Sequence, residues 1–195
     1  MAVSRREEIL SLAAEQFAER GVASTTVRDI GAAAGILSGS LYHHFTSKDQ
    51  MVVELLLPVM ERQVDHYRTI VGANDAAAAT LRALIKVAVV EAAETPNETR
   101  MIRNDTQTLT AIPALRPVSD LLLEAAKLWG SVVDRGAESG DFRADVDARL
   151  VVAAMFDAVL STTRWFTGGT PQRPDTVGDA LADLFLGGLA PSTPT

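Results

Sequence analysis

Apolar residues recur at intervals of three and four along most of this 195-residue chain, which is the spacing of one face of an α-helix. No stretch of alternating β-branched residues is long enough to predict a strand. Thirty alanines strengthen the pattern, because alanine has the highest intrinsic helix propensity. Ser4 and Glu7 stand at the spacing of a capping box, which marks the start of the first helix. The sequence therefore predicts an all-α protein.

Three short helices are predicted at the N-terminal end. The second covers residues 26–34 and is closed by Gly35, a residue type that suits the left-handed conformation found at helix ends. The third covers residues 38–45, where Leu41 and Phe45 lie four apart and so face the same small core. These lengths and this apolar pattern are typical of a helix-turn-helix.

The remainder of the chain is predicted as six longer helices. The first of them starts at Ser47, with Gln50 at the capping-box spacing. We expect a helix-turn-helix domain over residues 1–46 and a helical bundle over residues 47–195. The six predicted helices cover residues 47–71, 75–93, 97–109, 118–139, 145–166 and 176–189.

The third helix carries small and hydrogen-bonding residues on the side away from Leu41 and Phe45. Such residues suit a helix that enters the major groove of DNA. They are Ser38, Gly39, Ser40, Tyr42 and His43.

Residues 26–51, TVRDIGAAAGILSGSLYHHFTSKDQM, resemble the DNA-binding signature of the TetR family of transcriptional repressors. Residues 9–21 resemble the first helix of that family. The resemblance implies a homodimeric repressor that binds a palindromic operator in double-stranded DNA. It also implies a set of DNA-binding residues: Thr26, Arg28, Ser38, Gly39, Ser40, Tyr42, His43 and Lys48. Among these, Thr26, Arg28 and Lys48 are expected to hold phosphates.

The predicted helix 145–166 is apolar nearly all round, so nearly all of its surface must be buried. A chain of this length cannot cover it twice, which predicts a partner molecule; a central core helix remains the alternative. The predicted helix 176–189 has the same character, and the resemblance implies dimerisation through these two helices. The expected dimer interface comprises Phe156, Val159, Leu160, Leu181, Leu184 and Phe185.

The middle helices carry polar and aromatic residues that a plain core would avoid. A few such groups in an apolar cavity would orient a small molecule, although surface exposure or ion pairing would explain the charged ones equally well. The resemblance implies a pocket for an effector that releases the protein from DNA. The candidate lining residues are Tyr67, Met101, Arg103, Asn104, Asp105, Trp129, Arg164 and Trp165.

Residues 37–45, LSGSLYHHF, and the run RWF…GG at residues 164–169 resemble a branch of the family that controls steroid and lipid catabolism. That branch responds to CoA thioesters, whose phosphates need cations. The predicted helix 145–166 offers only Arg149 and Arg164. A lipophilic effector is therefore expected, and whether it is a CoA thioester or an uncharged molecule stays open.

Several classes of function are excluded or disfavoured. The absence of cysteine excludes disulfides, thiolate zinc sites and cysteine nucleophiles. The adjacent residues His43 and His44 diverge by about 100° on a helix and would chelate a metal poorly, so neither a metal nor a cofactor is expected. No spacing supplies a nucleophile–base pair or a carboxylate dyad, so an enzyme is not expected. A lipid- or acyl-CoA-binding protein without DNA binding is the remaining alternative.

The chain is acidic, with a formal net charge of −7. Residues 1–50 hold five Lys and Arg against six Asp and Glu, so DNA binding would depend on a few placed groups and vary little with salt. The longest apolar run, Leu150 to Phe156, is far shorter than the ~20 residues of a membrane span. We therefore expect a cytoplasmic protein with no membrane partner.

Overall fold

A computed structural model of the protein describes residues 4–166 and 172–191. Every regular element in these two ranges is helical, which confirms the all-α prediction. None of their helices is both long enough and apolar enough to cross a membrane. The helices are α1 (Arg5–Arg20), α2 (Val27–Ala33), α3 (Ser38–Leu41), α4 (Lys48–Gly72), α5 (Ala77–Glu94), α6 (Pro96–Ala111), α7 (Arg116–Ser139), α8 (Ala148–Ser161), α9 (Thr163–Phe166) and α10 (Pro174–Leu189), with a 3₁₀ turn at Pro113–Leu115.

The predicted caps of the first two helices are present. Ser4 Oγ accepts the Glu7 N–H at 3.2 Å, and the Glu7 carboxylate accepts the Ser4 N–H at 2.7 Å. Thr26 and Asp29 form the same reciprocal pair at the start of α2. Gly35 has a φ of +66°, so the turn after α2 uses the left-handed conformation that glycine adopts without strain. Each of the two capping pairs joins residues three apart in the sequence, which is why the sequence alone predicts them.

Two predicted helices differ from the observed ones by more than two residues at an end. Helix α3 ends at Leu41 rather than at Phe45, and residues 42–44 form turns in which the His44 N–H donates to the Leu41 carbonyl at 2.9 Å. The segment 145–166 forms two helices, α8 and α9, instead of one. Thr162 lies between them, fully buried, and its hydroxyl donates to the Val159 carbonyl at 2.7 Å, which ends α8 at this point.

The described residues form two units. Unit 1 contains the chain up to Met60 and the segment Thr95–Asp120, and unit 2 contains Glu61–Glu94 and the chain from Leu121 onward. Helix α4 begins in unit 1 and ends in unit 2. In unit 1, α2 packs against both α1 and α3, and α6 packs against α1.

Each unit has its own buried apolar residues. The largest ones in unit 1 include Ile9, Phe17, Ile30, Leu41, Met51, Leu56, Met101 and Leu109. In unit 2, α5 packs against α10 and α8, and the largest buried side chains there are Trp129, Leu81, Leu84 and Ile85.

Candidate functional site

Helix α3 and the turn after it form the predicted DNA-reading segment. Leu41 and Phe45 are buried beneath it, whereas Tyr42 is 59% exposed and His43 is also exposed. A side chain added at Gly39 would meet open space. The segment therefore presents a polar outer side on an apolar support, as the sequence indicates.

The start of α2 lies in the same unit. Thr26 directs both of its donors at Asp29, since its N–H and its hydroxyl reach Asp29 Oδ2 at 2.9 and 2.6 Å. These hydrogen bonds, that of the side chain first, hold the pKa of Asp29 below its ordinary value. Arg28 is exposed and stands beside them. At this helix start, Arg28 rather than Thr26 keeps its donors directed outward.

Lys48 differs from the expectation of a free phosphate-binding group. Its Nζ donates to the Val22 carbonyl at 2.6 Å and to the Thr25 carbonyl at 3.0 Å. An ammonium group has three donors, so two of the three hold the corner between α1 and α2. One donor remains for a phosphate.

Sequence reasoning missed Arg6, which supports the segment after α3. Its Nη2 donates to Glu54 Oε1 at 2.6 Å, its Nε reaches the His44 carbonyl at 3.4 Å, and its guanidinium lies 4.5 Å from the centre of the Phe45 ring. The hydrogen bond to Glu54 raises the pKa of Arg6. These partners lie 38 to 48 residues away in sequence, so no local spacing announces them.

Leu37 was also missed. It occupies the N-cap position of α3 and is 82% exposed, although it lies four residues before the buried Leu41. Helical spacing would place it in the core, but it precedes the helix and points away from it. An exposed leucine beside Tyr42 adds an apolar group that suits contact with a thymine methyl.

The residues predicted to line an effector pocket are divided between the two units. Met101, Arg103, Asn104 and Asp105 lie on α6 in unit 1. Met101 is fully buried in the core, Arg103 Nε donates to Asn104 Oδ1 at 3.2 Å, and Asp105 accepts the Val22 N–H at 3.0 Å. Tyr67, Trp129, Arg164 and Trp165 lie in unit 2.

An aromatic cluster of Tyr67, Trp129 and Phe156 occupies the interior of unit 2. The Trp129 ring centre lies 5.7 Å from that of Tyr67, edge to face, and 4.9 Å from that of Phe156. Burial raises the pKa of Tyr67 far above its ordinary value, and the nearby Glu91 adds to this shift. Trp129 Nε1 is buried, and among the described residues it has no hydrogen-bond partner. A buried N–H without a partner destabilises the folded state, because it has given up its hydrogen bond to water and made no other.

A charged group lies in the same unit as this cluster. Glu91 on α5 is buried, and its Oε1 lies 2.7 Å from His66 Nδ1 and 3.9 Å from Arg62 Nε. Desolvation raises the pKa of Glu91, although its contact with His66 acts in the opposite direction. Nothing in the sequence separates this glutamate from an exposed one.

Arg164 and Trp165 lie on α9 and are exposed, Trp165 by about half of its surface. They belong to the run RWF…GG, whose Gly168 and Gly169 lie outside the described residues.

Helices α8 and α10 each expose a large apolar side chain. Leu150 is 70% and Leu184 is 69% exposed. Of the six predicted interface residues, Leu184 is exposed, Phe185 and Leu160 are half-buried, and Phe156 packs on Trp129. Val159 and Leu181 are buried within the protomer, on helices that pack against α5. An open groove here is lined by Val146, Leu150, Val151, Ala154, Leu184, Phe185, Gly188 and Leu189.

No group of three or more His, Asp or Glu side chains in the described parts of the chain is placed to hold a metal ion.

Comparison with known proteins gives matches over most of the chain. Residues 9–55 match the family described as bacterial regulatory proteins, tetR family, and residues 74–189 match the tetracyclin repressor-like C-terminal domain. The HTH-type transcriptional repressor KstR2 of Mycobacterium tuberculosis is 41% identical over 95% of this chain and 93% of its own length. KstR2 of Rhodococcus jostii is 38% identical over 95% of this chain and 91% of its own.

Solved structures agree. The ketosteroid transcriptional regulator KstR2 of Mycobacterium tuberculosis superposes with a TM-score of 0.82 at 37% identity, covering 97% of both chains. AibR, solved with isovaleryl coenzyme A and operator DNA, has a TM-score of 0.69 over 93% of this chain and 97% of its own. At 19% identity, that second match shows a shared fold alone.

Proposed function

Since this chain belongs to the TetR family of transcriptional regulators, we propose that it is a repressor that binds a palindromic operator as a homodimer and releases it on binding a small lipophilic effector. The chain is thus a regulator and not an enzyme. Such a regulator acts on chromosomal DNA, which places its action in the cytoplasm. Residues 1–46 would form the DNA-binding domain and residues 47–195 the effector and dimerisation domain.

The observation that carries the proposal is the exposed Tyr42–His43 pair above the buried Leu41 and Phe45. A pair of exposed polar side chains on a buried apolar support suits contact with the major groove. Ser38, Gly39 and Ser40 would approach the bases closely, and Arg28 would bind a phosphate. Thr26 contributes by capping α2, and Lys48 by fixing the corner before it, with its remaining donor directed to the DNA backbone.

Two copies are needed because one four-residue helix makes too few contacts for a specific site. Two such helices related by a dyad read half-sites about one turn of DNA apart. We assign the dimer contact to the groove side of α8 and α10, where Leu150 and Leu184 are the most exposed apolar residues. Phe185 and Leu160 extend this surface, while Val159 and Leu181 support it from within.

The effector would bind beside the aromatic cluster of unit 2. The cluster supplies aromatic surface, and the Trp129 N–H would provide one donor for an acceptor oxygen. Burial keeps the Tyr67 phenol neutral, so it can donate as well. An apolar molecule that carries a carbonyl fits these groups, and ketosteroids belong to this class. Arg164 and Trp165 would meet a more polar end of the ligand, such as that of a CoA thioester.

The proposal is tested with DNA flanking the gene for this protein, in anisotropy titrations at two salt concentrations. Tyr42→Ala should weaken operator binding at least tenfold, ~1.4 kcal/mol, because it removes a group that reaches the DNA. Dimerisation and the melting temperature should not change, since Tyr42 is exposed. Leu123→Ala, which removes an exposed apolar side chain of α7, is the matched control.

Absence of specific binding by the wild-type chain at both salt concentrations would reject the repressor. It would leave the alternative, a lipid- or acyl-CoA-binding protein without DNA binding. The relatives do not favour that alternative, because those that align over most of the chain are named repressors.

A further inference from the structure

The corner between α1 and α2 is held by side chains that are distant in sequence. The Val22 N–H donates to Asp105 Oδ2 at 3.0 Å, and the Val22 carbonyl accepts from Lys48 Nζ at 2.6 Å. Val22 itself is buried. Both backbone polar groups of one buried residue are thus bound by charged side chains of opposite sign, which are stronger partners than neutral ones.

Helix α6 departs from helical geometry at Asp105, the residue that reaches this corner. Its φ of −121° and ψ of 16° lie outside the helical range, although the helix continues on both sides. The Asp105 side chain is buried, where an ionised carboxylate requires partners. The preceding residue acts in the same place, since Asn104 Nδ2 donates to the Ala18 carbonyl in the last turn of α1 at 3.3 Å.

Gly21 lies next to the Asp105 carboxylate. Its φ of +83° favours glycine, and a Cβ added there would lie 3.4 Å from Asp105 Oδ1. The carboxylate therefore packs directly on the backbone that leaves α1. The departure of α6 from helical geometry and the glycine thus lie at the two sides of this contact.

The corner is connected to the DNA-reading segment by a short series of contacts. The Thr25 hydroxyl donates to the Gly21 carbonyl at 2.8 Å, and the Thr25 carbonyl accepts from Lys48 at 3.0 Å. Thr26 then caps α2, which packs against α3. A change at Val22 would shift the point at which α2 begins and, with it, Tyr42 and His43.

We propose that Asp105 is a positioning residue for DNA binding, which acts through the Val22 amide to fix the placement of α2 and α3. This inference rests on the proposed DNA-binding function. It gives Asp105 a task other than lining an effector pocket. It also extends the functional DNA-binding unit to a residue of α6, 83 positions from the amide that it binds.

The charge of Asp105 and its proposed positioning role predict opposite effects of its removal on DNA affinity, so the two can be distinguished. Removal of a carboxylate near DNA lowers repulsion from phosphates and should tighten binding. If Asp105 instead positions the helices, its loss should weaken binding. Asp120→Ala removes the same charge from an exposed site of unit 1 and measures the electrostatic effect by itself.

The first measurement is amide hydrogen exchange at Val22 by NMR, which needs no DNA. Asp105→Ala should accelerate exchange at Val22 at least tenfold, and Asp120→Ala should leave it unchanged. Asp105→Asn retains an acceptor oxygen and should give an intermediate rate. Unchanged exchange in Asp105→Ala would show that the carboxylate does not hold this amide, and would overturn the inference.

The second measurement is affinity for the DNA sequence that the wild-type chain selects from a random pool. Asp105→Ala should bind this DNA about tenfold more weakly, with an unchanged dependence on salt because no phosphate contact is lost. Asp105→Asn, in which Val22 exchanges at an intermediate rate, should lose an intermediate part of the affinity. Binding by Asp105→Ala as tight as that of Asp120→Ala would overturn the inference while the repressor function stands. Failure of the wild-type chain to select any DNA would reject the repressor function itself.

If Asp105→Ala does not fold, Asp105→Asn provides the same test. Its Val22 exchange rate and its operator affinity should change together. A fall in affinity without faster exchange at Val22, or faster exchange without a fall in affinity, would overturn the inference.

Discussion

Unit 1 and unit 2 differ in how completely they satisfy their own groups. In unit 1, the starts of α1 and α2 are capped, Asp105 and Lys48 bind backbone groups of the α1–α2 corner, and Arg6 is paired with Glu54. In unit 2, two leucines on α8 and α10 are exposed by more than two thirds, and Trp129 has a buried N–H that lacks a partner among the described residues. From this difference we propose that unit 2 receives a second copy and a ligand, whereas the exposed Leu37 and Tyr42 of unit 1 face DNA.

The largest expected effect is at the exposed apolar surface of unit 2. Leu184→Glu would place a carboxylate in the proposed dimer contact, where its desolvation opposes association. We expect the dimer dissociation constant to rise at least 100-fold, ~2.7 kcal/mol, as measured by sedimentation or light scattering. Leu123→Glu, at an exposed leucine of α7, should leave association unchanged. A dimer that survives Leu184→Glu would place the contact elsewhere and weaken the comparison.

A smaller effect is expected in unit 1. Thr26→Ala removes the cap of α2 and its hydrogen bonds with Asp29, and should lower the free energy of unfolding by ~1 kcal/mol. Thr69→Ala is the control, because this exposed threonine lies inside α4 and donates only to the carbonyl of its own preceding turn. Urea unfolding measures both variants. Equal stability of Thr26→Ala and Thr69→Ala would mean that the cap of α2 contributes little to the stability of the protein.

The smallest effect concerns the buried carboxyl of unit 2. The pKa of Glu91 is raised by burial, so its protonated form is favoured in the folded state. Glu91 therefore contributes to the free energy of unfolding below the ordinary pKa of glutamate. This contribution is lost as the pH rises through the raised pKa of Glu91. Glu91→Gln should abolish this loss and increase the free energy of unfolding at neutral pH.

Denaturant melts across this pH range provide the measurement, with the exposed Glu94→Gln as the control. Parallel pH profiles for Glu91→Gln and the wild-type chain would show that the buried carboxyl has no stability cost.

The local contacts of unit 1 could be predicted from the sequence for a physical reason. The capping pairs Ser4–Glu7 and Thr26–Asp29 lie three residues apart, so both members are visible in one window of sequence. The same reasoning extended α3 to Phe45, because Leu41 and Phe45 are four residues apart. A short helix followed by turns brings these two side chains to the same core just as a longer helix would. The sequence thus predicted that α3 exists and where it begins, but it did not predict where α3 ends.

Long-range contacts were beyond such reasoning. Asp105 was predicted as a pocket residue from its type alone, and its hydrogen bond is with Val22, 83 residues away in the sequence. Lys48 was predicted to face DNA, and it binds carbonyls 23 and 26 residues away. The predicted residues of the dimer surface share an apolar character, but only packing separates Val159, which is buried, from Leu184, which is not.

The hydrogen bond between Val22 and Asp105 has a consequence for engineered chimeras. A designer who grafts residues 9–55 onto the body of another regulator would transfer every residue expected to face DNA, yet leave behind the carboxylate that holds the Val22 amide. The recipient body would have to offer an acceptor at the equivalent point of its own sixth helix. Successful grafts should therefore be those whose recipient carries aspartate or asparagine there, and grafts onto other bodies should be rescued by introducing it.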